Sequence, residues 1–194
     1  LTTVLTQPGL LLLVAAGTAR RRDVVATLAP IARAVAAATG DELLVARIKL
    51  AHGRALTRIS SYVEAEALCR EAGAAVAAQP DATRADRAEP RKCLIEALVP
   101  LGKGAEARAV LEQLLTEIRE QAGPEHPAVA DLETTLAGFV RADGQVEEAR
   151  AMVERGMALR ERAYGPDHIR VAESLLALAD YEPDPAQRRA RYDR

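Results

Sequence analysis

The sequence predicts an all-α fold, a right-handed solenoid of stacked antiparallel helix pairs. Three observations carry that prediction. The segment Gly123-Pro124-Glu125-His126-Pro127 returns 42 positions later as Gly165-Pro166-Asp167-His168-Ile169. The same 42-residue spacing relates Glu64, Glu106 and Glu148, then Ala65, Ala107 and Ala149, then Ala67, Ala109 and Ala151. A long fixed period marks one supersecondary unit used several times. Apolar residues also recur at helical spacing almost throughout, and runs rich in β-branched and aromatic residues are missing. Aromatics are only 3% of the 194 residues, so the core has to be built from Ala, Leu and Val, which suits closely packed helices.

Residues 1–40 are the least regular and read as a degenerate helix pair. Its helices would run from Leu10 to Ala16 and from Arg21 to Thr39, with Pro30 kinking the second. The first full unit, residues 41–83, pairs Glu42 to Arg58 with Tyr62 to Ala78. Ser60 stands there in the place of a turn glycine, and Gln79-Pro80-Asp81-Ala82-Thr83 replaces the glycine-proline turn. The second unit, residues 84–125, has a helix from about Ala88 to Leu101, with Leu94, Ile95, Ala97 and Leu98 inward. Gly102 makes its turn, and a helix from Ala105 to Ala122 carries Ala107, Leu111, Leu114, Leu115 and Ile118.

In the third unit, residues 126–167, the first helix spans Pro127 to Ala142 and its buried stripe is Leu132, Leu136, Phe139 and Val140. Asp143-Gly144 ends it, with Gly144 left-handed. The second helix runs from Val146 to Tyr164 on the inner line Ala149, Val153 and Met157. Gly165 stops it, Pro166 blocks its extension, and Asp167 or His168 caps the next helix. Residues 168–181 begin a fourth unit, in which Leu178, Ala179 and Tyr181 repeat Leu136, Ala137 and Phe139. Pro183 and Pro185 then interrupt, and residues 182–194 start a further helix near Ala186.

Composition excludes several classes of function. A net charge of −2 is not the basic excess of a nucleic-acid surface. The apolar run from Leu10 to Ala16 is too short to span a bilayer and lacks the flanks of a signal peptide, so a cytoplasmic location without membrane contact is expected. The chain does not begin with Met and ends in an Arg-rich helical stretch, so it is expected to be a piece of a longer protein. Cys69 and Cys93 lie inside helical patterns and are expected to be buried thiols, because a chain of this size needs no disulfide and the pair is no metal motif. His126 and His168 are too far apart in stacked units to share an ion, so they are read as turn and capping residues rather than metal ligands. His52 occupies the place of Leu94 and Leu136 and reads as a packing histidine. The repeated Glu64, Glu106 and Glu148 are first-turn acids that complement the helix dipole. No glycine-rich phosphate loop, Ser-His-Asp arrangement or HExxH is present, so no catalytic, cofactor-binding or metal residue is assigned.

Helix-turn-helix units with a small residue near the start of the second helix resemble the tetratricopeptide repeat family. The usual unit is about 34 residues, shorter than the one here. Tyr62-Val63-Glu64-Ala65-Glu66-Ala67-Leu68 and Val146-Glu147-Glu148-Ala149-Arg150-Ala151-Met152 resemble its long variant, found in kinesin light chains and in bacterial signalling proteins. The segment Tyr164-Gly165-Pro166-Asp167-His168 through Leu178-Ala179-Asp180-Tyr181 is similar to the LGPDHPxVAxxLxxLAxLY form of that repeat. The resemblance covers Asp41 to Tyr181 well and implies a scaffold that binds a partner protein or peptide in a concave groove lined by the first helix of each unit. Kinesin light chains place asparagines just before the Leu-Ala pair. Here those places hold Lys92 and Cys93, Thr134 and Thr135, and Leu176 and Ala177, so backbone recognition in that mode is not expected.

By register the groove positions are Arg47, Leu50 and Arg54, then Glu89, Lys92 and Glu96, then Asp131, Thr134 and Arg141, then Glu173 and Asp180. Basic members come early and acidic ones late, a gradient that would orient a charged peptide. Solvated helix faces with intrahelical pairs would carry the same residues. A second reading makes the chain the regulatory or sensor segment of a larger bacterial signalling protein, such as a Ser/Thr kinase or an ATPase-type regulator. An enzyme would need a site assembled from several units that this register does not display.

Overall fold

The computed structural model describes residues 29–34 and 37–181. The expected helix from Leu10 to Ala16, residues 21–28 of the expected helix from Arg21 to Thr39, and the helix starting near Ala186 lie outside the described residues. Residues 29–34 are helical. They are followed by α1 (Glu42–Arg58), α2 (Tyr62–Ala77), α3 (Arg84–Leu98), α4 (Gly104–Ala122), α5 (Pro127–Ala142), α6 (Val146–Tyr164) and α7 (Ile169–Ala179). No strand occurs among the described residues. The chain divides into two compact units, Leu1–Val110 and Leu111–Arg194, with the division inside α4.

The turn within each helix pair is one motif written three ways. Ser60, Gly102 and Gly144 are 42 apart and all adopt positive φ, at 64°, 74° and 84°. The next amide then reaches back to a carbonyl of the finished helix. Ser61 N donates to Leu56 O at 2.9 Å, Lys103 N to Leu98 O at 3.1 Å, and Gln145 N to Val140 O at 3.1 Å. This is the hydrogen bond that closes a helix with a left-handed residue. Glycine takes that conformation freely, whereas Ser60 takes it against its own Cβ.

Helix starts are specified by caps. Asp41 accepts from Leu44 N at the start of α1. Thr83 and Asp86 form a reciprocal capping box. That box starts α3 at Arg84 rather than near Ala88, so Pro90 lies inside the helix, and α3 ends at Leu98 rather than Leu101. The repeated histidines cap as expected: Nδ1 of His126 accepts from Ala128 N, and Nδ1 of His168 from Arg170 N, each at 3.2 Å.

In the first unit, α2 buries Ala65, Leu68, Cys69, Ala72 and Val76, a stripe at helical spacing. Ala55, Leu56, Ile59 and Ala97 close over its first half. Burial of a side chain such as Leu68 contributes about 2 kcal/mol. The buried thiols expected from the sequence are instead a disulfide between Cys69 and Cys93, with Cα atoms 5.8 Å apart. Packing α2 against α3 brings the two Cβ atoms within bridging reach, which sequence separation alone does not reveal. Gly53 on α1 makes the room, since a Cβ there would stand 3.0 Å from Cys69 Sγ and 3.3 Å from Cys93 Sγ.

In the second unit, Ala137, Val140, Ala149, Met152, Val153 and Leu178 form one core across α5, α6 and α7. Leu136 and Met157 pack against it from partly buried positions. Phe139 is only half-buried, and Val129 and Ala137 take its place in the inward stripe of α5. Gly156 sets the approach of α6 to α5: a Cβ there would meet Ala130 O at 3.3 Å.

Candidate partner-binding faces

On the first unit the residues expected to face a partner are largely paired with one another. The Arg47 guanidinium grips Asp86 with two bonds, Nε to Oδ1 at 2.8 Å and Nη2 to Oδ2 at 2.9 Å. That hydrogen bonding, helped by Thr83, holds the Asp86 carboxyl far below the usual carboxylate range. It also raises Arg47 further. Two turns along α1, Arg54 donates to Glu89, which also accepts from Lys92 at 3.1 Å. Burial alone would raise the Glu89 carboxyl, but the two cations outweigh it and hold it below its ordinary value. Glu96 is exposed further along α3.

Between the two Arg–carboxylate pairs lies a slot of about 270 Å³. Leu50 and Ala51 of α1, Val76 of α2 and Ala85 at the start of α3 give it an apolar lining. The ion pairs are its walls and cancel one another's charge. The basic early end of the expected gradient is thus neutralised by Asp86 and Glu89.

On the second unit the expected residues separate into structural and exposed groups. Asp131 accepts from Arg160 at 2.7 and 3.2 Å, and Arg160 also donates to Ser174 Oγ. Arg160 is only 4% exposed, and Ser174 is fully buried. Ser174 in turn donates to Arg170 O, so one guanidinium joins α5, α6 and α7. Thr134 bonds back to Ala130 O at 2.8 Å, beside Gly156. The Arg141 guanidinium lies over the Tyr181 ring at 5.3 Å, within cation–π range. Glu173 pairs with Arg170 within its own helix, and Asp180 is exposed as the C-cap of α7.

Asp86, Arg160, Ser174 and the Cys69–Cys93 bridge are the structurally important groups that sequence reasoning missed. Arg160 left a trace. It falls on the line of Val153 and Gly156, a charged residue on an otherwise apolar helical stripe. His52 is half-buried, and its Nδ1 is shut away without a hydrogen-bond partner. Burial, with Arg33 adding to it, pushes its pKa down to about 4.

The repeat spacing, the left-handed turn and the capping histidines converge on one family. Residues 129–182 match the tetratricopeptide repeat. No curated protein matches the chain. Among solved structures, the nearly identical TPR-like repeats of a kinesin light chain from Podosopora anserina superpose with a TM-score of 0.63 at 22% identity, covering 92% of this chain and 89% of that one. A single-substitution form of the same protein gives 0.65 over the same shares. BtubC (BKLC) from P. vanneervenii gives 0.67 at 16% identity, covering 86% of this chain and 66% of that one. The fold is therefore a tetratricopeptide-like helical repeat of the kinesin-light-chain type. Tetratricopeptide repeats generally mediate protein–protein interaction, and such scaffold folds are typically non-enzymatic. Among the described residues, no helix is long and apolar enough to cross a membrane, and no group of three His, Cys, Asp or Glu side chains is placed to hold a metal ion.

Proposed function

We propose that this chain is a protein–protein interaction scaffold whose first-helix faces bind a partner protein or peptide. The observation that carries the reading is the apolar slot between α1 and α3, walled by Arg47–Asp86 and Arg54–Glu89. An apolar opening between charge-balanced pairs is suited to one uncharged side chain of a partner, with the fixed ion pairs setting its orientation. On the second unit, taken by itself, Arg141, Glu173 and Asp180 are left as the partner-facing candidates, whereas Asp131 and Thr134 serve the fold. The reading gives the chain no catalytic residue, no cofactor and no nucleic-acid partner. The Cys69–Cys93 bridge favours an oxidising compartment over the cytoplasm.

The test is a capture experiment with the full chain and two variants, Leu50→Arg to fill the slot and Arg47→Glu with Arg54→Glu to unbalance its walls. Loss of the same bound proteins in both variants, with helical circular dichroism intact, supports the face. Unchanged partners would count against it.

A further inference from the structure

We infer that the Cys69–Cys93 bridge is a reversible redox switch, entered by a thiol reductant through the trough between α2 and α3. The trough has a volume of about 380 Å³. Every residue that lines it belongs to α2 or α3, and Cys69 is one of them, with Gly73, Ala77, Pro90 and Leu94 around it. Cys93 is fully buried and takes no part in the lining. On the side of α1 the bridge is shut in, because the two sulfurs already occupy the space that a Cβ at Gly53 would need. The bridge therefore has one closed side and one open side.

The repeat register shows what is missing on the open side. Cys69 and Cys93 stand where Leu111 and Thr135 stand one unit later, and where Val153 and Ala177 stand two units later. Gly73 stands in the place of Leu115 and Met157. A helical side chain lies over the turn before its own Cα, so a side chain at 73 would lie over Cys69. Leu115 is buried and Met157 packs on its core, so the later units have that cover. The unit with the bridge lacks it. Crowding does not force the omission, because a Cβ at Gly73 would meet Pro90 Cβ at an ordinary 3.5 Å. A purely structural bridge gains from cover, since disulfides that reductants can reach are the labile and regulatory ones. Open volume beside Cys69 suits a bridge that is made and broken.

The reductant is a dithiol. One of its thiolates attacks Cys69 Sγ, the bond between the two sulfurs breaks, and Cys93 leaves as a thiolate that takes up a proton. The reductant's second thiol, deprotonated in turn, displaces Cys69 from the mixed disulfide. Two electrons pass to the protein, the reductant ends as a disulfide, and both cysteines end as thiols. A small-molecule disulfide reverses each step. Two thiols keep van der Waals distance where one bond held them. The side of Gly53 has no room for that, so the displaced sulfur moves toward the trough. α3 is then held to α2 without a covalent tie. Oxidising surroundings keep the switch closed, and reducing ones open it. Val76 of α2 and Ala85 of α3 also line the slot beside α1, so opening reaches that face. That consequence alone rests on the proposed function; the switch does not.

The test treats the full chain with dithiothreitol in the absence of denaturant, quenches samples with iodoacetamide, and reads the open form by intact mass. Reduction should finish while circular dichroism still shows a folded helical chain, and oxidised glutathione should restore the bridge. Gly73→Leu, which supplies the cover found in the later units, should slow reduction by about tenfold or more, while Gly73→Ala changes the rate by less than about twofold. Ser60→Gly separates the trough from unfolding, because it stabilises the first unit at a distance from the trough. It should leave the rate unchanged, and a rate that falls with the gain in stability means that reduction follows unfolding and overturns the proposal. So does Gly73→Leu reduced at the parent's rate, or a bridge that opens only in denaturant. With one cysteine left, Cys69 in Cys93→Ser should react with iodoacetamide at least about fivefold faster than Cys93 in Cys69→Ser, and equal rates would remove Cys69 as the point of entry. Hydrogen exchange reads the switching itself. Opening the bridge should speed exchange along α3 by about tenfold and leave α5 and α6 unchanged, whereas an α3 that exchanges alike in both forms would mean that nothing is switched.

Discussion

In the first unit α2 and α3 are tied by the Cys69–Cys93 bridge beneath Gly53. In the second, α5, α6 and α7 are tied by Arg160, which reaches Asp131 and Ser174, while Gly156 lets α6 approach the α5 backbone. Both devices sit in the same repeat architecture, yet their residues do not align. Cys69 falls on Leu111 and Val153, and Gly156 on Leu114 and Ala72. The 42-residue register therefore dictates turn geometry and which helix faces are buried, but not the chemistry that locks neighbouring helices. A glycine accompanies each lock because both the bridge and the close backbone approach need space that a side chain would fill.

The harshest way to break the comparison is to attack the position that both units share. Ala65 and Ala149 are fully buried at the same register. Ala149→Arg should cost more than about 4 kcal/mol, by burying a charge where no space exists, and so remove the cooperative thermal transition of its unit. A variant that melted like the parent would mean the register is wrong. Next comes the covalent lock. Cys69→Ser with Cys93→Ser opens a loop of 24-residue separation, and the chain-entropy model gives a loss of about 3 kcal/mol. Denaturant unfolding with and without a dithiol reductant measures it, and a parent indifferent to reductant would leave the first unit without its lock.

The polar lock should be worth less. Arg160→Met keeps the bulk but strips Asp131 and Ser174 of their donor, and the expected loss is about 2 kcal/mol, discounted because Asp131 is partly solvated. Ser174→Ala should lose about half of that in the same unfolding assay. A subtler difference appears with pH. His52 has its folded pKa at about 4 against the ordinary 6.5, so between those values the unfolded chain binds a proton that the native chain refuses. Its contribution is intact above about pH 6.5 and is lost as pH falls toward 4, by about 1–2 kcal/mol after allowance for its half-exposure. His52→Leu, which copies Leu94 and Leu136, should flatten stability across that window. Smallest of all, Ser60→Gly should stabilise the first unit by about 0.5–1 kcal/mol, because it relieves a left-handed serine.

The fold was legible because its punctuation is local. Gly144, Gly165 and Pro127 announce helix ends and starts within a few residues, and α1, α5 and α6 begin and end where the sequence places them. Ser60 was legible only through the period, since serine is no sign of a left-handed turn. The weaker lettering of the early units explains why the repeat match spans residues 129–182 while the structural likeness covers 92% of the chain. What the sequence hid is pairing between helices. Arg47–Asp86 joins residues 39 apart and Arg160–Asp131 residues 29 apart, separations with no local signature. The pairing of Arg47 with Asp86 and of Arg54 with Glu89, and the diversion of Asp131 into a buried network, follow only from packing.

The histidines of the repeated turn carry one more consequence. Each caps its helix by accepting at Nδ1, which requires a neutral ring with its proton on Nε2. One letter was duplicated along with the turn, so the starts of α5 and α7 are fastened by the same bond. His168 alone has an aromatic neighbour, Tyr164, stacked at 4.6 Å, where the earlier copy has Ala122. The repeat thus carries a fastening as well as a shape, and its later copy adds a ring for the histidine to lean on.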